Sequence, residues 1–398
     1  MITVIRLSAF IALAALVACA KPAPPHYTKT QTGVSVTPTS GAAKSVRLEV
    51  LSAKVIRVTA FPTAASELPQ NLIAVRQADG SVPFDVVEQN GAVVLKTAEL
   101  SAEVAVANGA TLFRDKEGHI VITESPGGRT FTPAEAEGKH YYAIRQEFDS
   151  RRPEAFYGLG QHQNGQMNYK GENVELAQHN MDVAIPFVVS SRNYGVLWNN
   201  ESITRFGDPR PWQPIGETLT LRDAQGKEGG LTAQYSVGGK VVLTRVESDI
   251  GYQYIKSLES FPADLAKAPN QHVTWTGTIE ARTGGVHKFS LYASDYHKLY
   301  IDDKLVLDGW RQNWNPWYRN FEIDLRAGKP RKIRIEWDRT VGYLALVHRD
   351  PLQPGEQDAL SLFSELGEAI DYYFIVGANT DDVIGGYRFV TGKAALLP

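Results

Sequence analysis

The chain has little cysteine, little methionine and almost no net charge. Cys19 is the only cysteine among 398 residues. That excludes an internal disulfide and a thiolate metal cluster, and once Cys19 is committed elsewhere it also excludes a cysteine nucleophile. With 41 basic and 44 acidic side chains the formal net charge is −3, so nothing in the charge calls for nucleic acid as a partner. None of the nine histidines stands in a His-x-x-x-His pair, which removes the helical zinc-hydrolase motif. A glycine-rich loop ending in Gly-Lys-Ser or Gly-Lys-Thr is also missing, so no phosphate cradle is expected. These motifs call for no cofactor and no resident metal.

What is present begins with an apolar run from Leu7 to Leu16 behind Arg6. It is too short to span a bilayer and has the length of a secretory signal core. It ends in Leu16-Val17-Ala18-Cys19, which resembles a bacterial lipobox. The motif implies that residues 1–19 are a signal peptide and that Cys19 becomes an acylated N-terminus. The alternative is a buried thiol in an apolar helix. Residues 20–32, with Lys21-Pro22-Ala23-Pro24-Pro25, read as a stiff proline-rich tether. The expectation is an exported protein held to a membrane by its lipid anchor, at the outer membrane or the periplasmic face.

Beyond the tether the pattern has period two. Val46, Leu48 and Val50 share a face, and similar bursts recur at Val93 to Leu95, Leu100 to Val106, Ile120 to Ile122 and Tyr141 to Phe148. Turn clusters such as Asp79-Gly80-Ser81 separate them. Short alternating strands at regular spacing predict a β-sandwich. A second alternating unit runs from about Gly229 to Asp358 through Trp275, Phe289 to Ala293, Leu299 to Ile301 and Ile333 to Trp337. Ile370 to Val376 then predicts one more buried strand, followed by a short helix with Thr380 as cap, Val383, Tyr387 and Val390 on one face, and Gly392 as stop. The fold class is all-β, with two or three domains for this length.

The segments Phe156-Tyr157-Gly158-Leu159-Gly160-Gln161-His162 and Ala184 to Asn200, which contains Ser190-Ser191-Arg192-Asn193-Tyr194-Gly195-Val196-Leu197-Trp198, resemble the N-terminal β-sandwich of family-31 glycoside hydrolases. That resemblance implies a galactose-mutarotase-like sandwich over residues 33–228 and 360–398. The run from Gly285 to Asp295, followed by Lys298 to Val306, resembles the protective-antigen-type β-domain, inserted here over residues 229–359. Such an insertion is similar to the architecture of certain bacterial α-xylosidases. It implies a xyloglucan-type oligo- or polysaccharide partner and a retaining mechanism in the full-length enzyme. The family's catalytic (β/α)8 barrel is expected to lie outside this chain. The three methionines are Met1, Met167 and Met181, so the family's Asp-Met-Asn-Glu-like nucleophile motif is missing, and no catalytic residue is assigned.

Two surfaces are candidates for touching sugar. In the polar stretch between the two family segments, Asn168, Tyr169 and Lys170 could line a substrate pocket as the family resemblance implies; the alternative is plain solvation. In Trp310 to Tyr318, Trp314, Trp317 and Tyr318 crowd one loop, and aromatic faces stack on the apolar faces of sugar rings. Trp310, which ends the module's core motif, is expected to pack inside. Asp302 and Asp303 are expected to serve a turn, with calcium binding as the alternative. A different reading of the whole chain is a free-standing surface lipoprotein that binds glycan without cleaving it.

The anchor reading is open to direct test. Cys19→Ala should move the protein from the membrane fraction to the soluble fraction. If the variant still sediments with membranes after a carbonate wash, the attachment lies elsewhere.

Overall fold

The alternation of Val46, Leu48 and Val50 with Arg47 and Glu49 becomes strand Ser45–Ser52, whose apolar positions are buried and whose charged positions are not. This strand belongs to a computed structural model that describes residues 25–64, 67–69, 72–150, 153–162, 166–178, 182–253, 257–310, 317–340, 342–353 and 359–393. Two β-sandwiches account for nearly all of it. In the first, an eight-stranded sheet runs in the order Tyr27–Lys29, Gly33–Val36, Ser45–Ser52, Val55–Phe61, Ile370–Val376, Tyr194–Trp198, Val183–Ser190 and Phe156–Gln161. Facing it, a nine-stranded sheet runs from Asn173–Leu176 through Thr204–Gly207, Ala359–Gly367, Lys139–Asp149 and Ile120–Ala136 to Asp85–Gln89. Their inner faces meet in one core that includes Leu48, Ile56, Phe113, Phe148, Phe156, Trp198, Phe206 and Phe374.

The chain leaves this sandwich after Gly207 and returns at Ala359, in both sheets, between strands already laid down. In the interval it builds a second sandwich. A seven-stranded sheet is centred on Gln271–Ala281 and Arg331–Arg339, and a five-stranded sheet on Gly285–Ala293 and Leu344–Arg349. Strands Gln213–Pro214 and Leu219–Arg222, which precede residue 229, pair within these sheets. Trp275 and Trp337 are fully buried between the sheets, with ring centroids 6.3 Å apart. The Asp302-Asp303 pair forms the two-residue hairpin between Ile301 and Lys304, with φ of 47° and 63°. That is the type I′ conformation, which aspartate tolerates. Asp302 also accepts from the backbone N–H of Lys332 at 2.9 Å.

Residues 25–32 differ from the tether expected there. Tyr27–Lys29 pairs with Gly33–Val36 as the edge of the eight-stranded sheet, because a β-prone Tyr-Thr pair beside an open sheet edge gains ladder hydrogen bonds that an isolated linker lacks. The helix spans Thr380–Thr391, and its cap is Asn379 rather than Thr380: Asn379 Oδ1 accepts from the Asp382 N–H at 2.9 Å. Val383 and Val390 are buried on Leu197, Tyr373 and Ile375, and Tyr387 stacks on Phe187 at 4.5 Å. Burying each valine contributes roughly 1.5–3 kcal/mol. Strand Ile370–Val376 is therefore covered on both faces, by the sandwich core and by the helix, which is why its residues from Tyr372 to Val376 are apolar without alternation. A second, one-turn helix, Ile215–Thr218, lies at the entry to the inserted sandwich.

The Gly158-Leu159-Gly160 segment has left-handed φ at all three residues, 98°, 64° and 100°, and the pairing of Phe156–Gln161 with Val183–Ser190 shifts register there. A β-carbon on Gly160 would overlap the carbonyl oxygen of Val183. Gly160→Ala should therefore destabilise the chain by about 2–4 kcal/mol through strain and lost pairing, read from denaturant unfolding. An unchanged midpoint would mean that the bulge accommodates a side chain.

Candidate functional site

Three buried acids of the two sandwiches, Glu124, Asp371 and Glu247, are committed to structural hydrogen bonds. Glu124 accepts from the Thr111 N–H at 2.7 Å, from Arg129 Nη2 at 2.6 Å and from the Tyr372 hydroxyl at 2.7 Å. Asp371 accepts from Arg57 Nε and Nη2 at 2.9 and 2.8 Å and from Asn199 Nδ2 at 2.6 Å. In the inserted sandwich Glu247 accepts from Tyr235, from Tyr252 at 3.0 Å, from Arg245 Nε at 2.6 Å and from Trp275 Nε1 at 2.6 Å. Burial, reinforced by the Glu247 charge, pushes the Tyr252 hydroxyl up to about 12 and that of Tyr235 higher still. A carboxylate surrounded by donors in this way holds a core together and is not free to attack or protonate a substrate.

A group of polar side chains converges where the two sandwiches meet. On the five-stranded sheet, Lys288 and Arg349 are cross-strand neighbours. Lys288 Nζ donates to the Gly171 carbonyl at 2.8 Å and Arg349 Nη1 to Asn173 Oδ1 at 2.5 Å. Asn320 Nδ2 donates to Glu172 Oε2 at 2.5 Å. The Arg349 guanidinium lies 3.9 Å over the Trp212 ring; burial pushes it down to about 10, against the pull of Asp208. Asp208 is itself partly buried, which works against its charge. Hydrogen bonds from Arg210 and the charges of Arg349 and Arg210 outweigh that and hold its carboxyl below the usual range. The loop of residues 166–173 is thereby fastened to the inserted sandwich.

The predicted site residues divide at this junction. Asn168 is exposed, but its Oδ1 accepts from the backbone N–H groups of Phe156 and Lys170, both at 3.0 Å, so it folds its own loop. Tyr169 is a correction to the expected sugar-facing position. It is 5% exposed and sits in the sandwich core, edge-on to His162, because its ring buries more apolar area than the loop could leave in water. Lys170 is half-buried, with Nζ donating to Ser150 Oγ at 2.8 Å. Tyr318 lies on the surface at 46% exposure, its ring 4.7 Å from that of Tyr292 and its hydroxyl accepting from Gln253 Nε2 at 2.9 Å. Two residues along the same strand, and so on the same face, Asn320 reaches Glu172. Strand pairing thus brings the 166–173 loop and the Tyr318 face to one junction.

Trp317 begins strand Trp317–Leu325, opposite Ala293, and its side chain, like Trp314 and Cys19, lies outside the described residues. Trp310 is not packed inside as expected but is 68% exposed. It follows Lys304–Gly309, the outermost strand of its sheet among the described residues. Gln253, Tyr292, Glu172 and Asn320 carry no motif and could be found only from strand register. A separate open cleft of about 800 Å³ lies between residues 75–77 and the C-terminal helix; its charged lining residues, Arg76, Arg388 and Lys393, are all cationic.

Comparison with known proteins fits this architecture. Residues 45–206 match the glycosyl hydrolase 31 N-terminal galactose mutarotase-like domain, and residues 228–353 match the PA14 domain. The crystal structure of a GH31 α-xylosidase from Xanthomonas citri superposes with a TM-score of 0.84 at 49% identity, covering 93% of this chain and 41% of that one. An α-xylosidase of Saccharolobus solfataricus is 35% identical over 113 residues, 26% of this chain and 15% of its own length. A family 31 glucosidase of Pseudescherichia vulneris is 45% identical over 76 residues, 19% of this chain and 14% of its own. The chain thus spans less than half the length of each of these relatives. Its first sandwich carries a domain that matches the N-terminal galactose mutarotase-like domain of glycosyl hydrolase 31, and the sandwich set between two of its strands matches the PA14 domain.

Proposed function

We propose that this chain is the substrate-holding, non-catalytic portion of an α-xylosidase acting on the α-xylosyl side chains of xyloglucan oligosaccharides. The observation that carries the reading is the likeness to the Xanthomonas α-xylosidase, which extends through both sandwiches. In this reading the junction is the glycan-facing surface. Tyr318 offers a ring face to a sugar, and Gln253, Asn320 and Glu172 offer hydrogen-bonding groups around it. Retaining hydrolysis needs two carboxyl groups about 5 Å apart. The proposal places that pair outside the two sandwiches, in keeping with the structural commitment of Glu124, Glu247 and Asp371. Display at a membrane through an acylated Cys19 completes the proposal.

Two measurements on the whole chain test it. Titration with xyloglucan oligosaccharides, followed by tryptophan fluorescence, should saturate between high-micromolar and millimolar concentration, about 4–6 kcal/mol on the standard scale. Tyr318→Ala should weaken that binding several-fold while Asn168→Ala lowers stability and leaves it unchanged. No saturable response at millimolar ligand from folded protein would remove the junction from consideration. On an aryl α-xyloside the same protein should show no turnover. A rate proportional to protein concentration would instead place the reacting carboxylates within this chain.

A further inference from the structure

Strand pairing in the inserted sandwich assembles a group that no sequence spacing announces. Strands Gly285–Ala293 and Leu344–Arg349 run antiparallel with Lys288 opposite Arg349. One further step of that register sets His287 opposite Asp350, and His348 shares their face because side chains alternate along a strand. The potential ligand atoms of His287, His348 and Asp350 all lie within 4.8 Å of one another. Nδ1 of His287 is 2.9 Å from Nε2 of His348 and 3.6 Å from Asp350 Oδ1. Both imidazoles are fully buried, while the Asp350 carboxylate is 42% exposed, so the group opens to water on one side only.

The outer nitrogens show how the rings are held. His287 Nε2 lies 2.9 Å from the Thr283 carbonyl oxygen. A carbonyl only accepts, so Nε2 carries the hydrogen and Nδ1 turns its lone pair inward. His348 Nδ1 lies 2.8 Å from Thr218 Oγ1, a hydroxyl able to donate or accept. When Thr218 donates, His348 Nε2–H completes an N–H···N bond to His287. When it accepts from Nδ1–H, both inward nitrogens present lone pairs. Histidines oriented through their outer nitrogens in this way are the usual arrangement of metal ligands.

We infer that His287, His348 and Asp350 form a binding site for a divalent transition-metal ion of the zinc class, with two imidazole nitrogens, one carboxylate oxygen and a fourth position open to water. The ligand set suits zinc or cobalt rather than calcium or magnesium, which take oxygen ligands. Tetrahedral zinc with bonds of about 2.0–2.1 Å needs the two nitrogens somewhat farther apart than they stand, a widening of a few tenths of an ångström. The hydrogen lost from His348 Nε2 is regained at Nδ1 as Thr218 turns from donor to acceptor, so both rings stay neutral and no net proton is released. The site lies at the root of the inserted sandwich. Thr218 ends the entry helix, Gln213 pairs with His348, and Arg210 Nη1 donates to the Asp350 carbonyl at 2.9 Å. An ion here ties the strand that leaves the inserted sandwich to the segment that enters it.

The test uses the untagged whole chain, stripped with chelator and dialysed. Calorimetric titration with Zn2+ should give one ion per chain, Co2+ should develop the visible bands of a four-coordinate ion, and Zn2+ should raise the melting temperature. Asp350→Asn leaves the histidine pair's own hydrogen bond intact. It should melt like the stripped wild type, bind Zn2+ about tenfold or more weakly and lose the four-coordinate Co2+ spectrum. His348→Gln provides a second ligand removal at similar volume. Absence of stoichiometric binding by folded wild type overturns the inference, as does binding that survives both substitutions unchanged.

Discussion

The architecture depends on two strands that return after a long excursion. Ala359–Gly367 and Ile370–Val376 enter the interior of the first sandwich's two sheets, and their partners were synthesised before the inserted domain. Arg57 and Asp371, 314 residues apart, close that gap with a paired, largely buried ion pair. Until these strands arrive, each sheet has an open interior edge and the core aromatic cluster of Phe113, Tyr372 and Phe374 is incomplete. The inserted sandwich has to bring its two ends close together for this to occur. Contacts so distant in sequence are slow to form, because loop-closure entropy is spent before they contribute.

That requirement explains the chemistry at the root of the insertion. Arg210 is held by Asp208 and reaches the Asp350 carbonyl, while Arg349 stacks on Trp212 and reaches Asn173. These contacts fix the entry and exit segments side by side and fasten them to the 166–173 loop of the first sandwich. The same fastening sets Tyr318 and Asn320 beside Glu172. The surface proposed to hold glycan is thus a by-product of how the two sandwiches are joined.

Much of the fold was legible in residue order because it rests on local physics. Period-two alternation marked the strands, and the burial of Ile370–Val376 followed from its apolar run over Tyr372 to Val376. Gly392, with φ of 85°, stops the helix where glycine is favoured. The errors arose where burial or pairing overrides residue type. Tyr169 looked like a loop residue but fills the core, and Trp310 looked like a core residue but follows an edge strand. Tyr27–Lys29 looked like linker and became an edge strand. In each case sheet pairing or burial, not the residue type, decided the outcome.

By itself, then, the sequence determined the all-β class, the interruption of one sandwich by another and the family resemblance, since alternation, turn chemistry and contiguous motifs are written in consecutive residues. Only the tertiary structure decided which side chains meet. Register between strands 61 residues apart places His287 against His348, and docking of one sandwich on the other places Asn320 against Glu172 across 148 residues. A strand pattern shows which face a residue occupies; strand order and register show what stands opposite it.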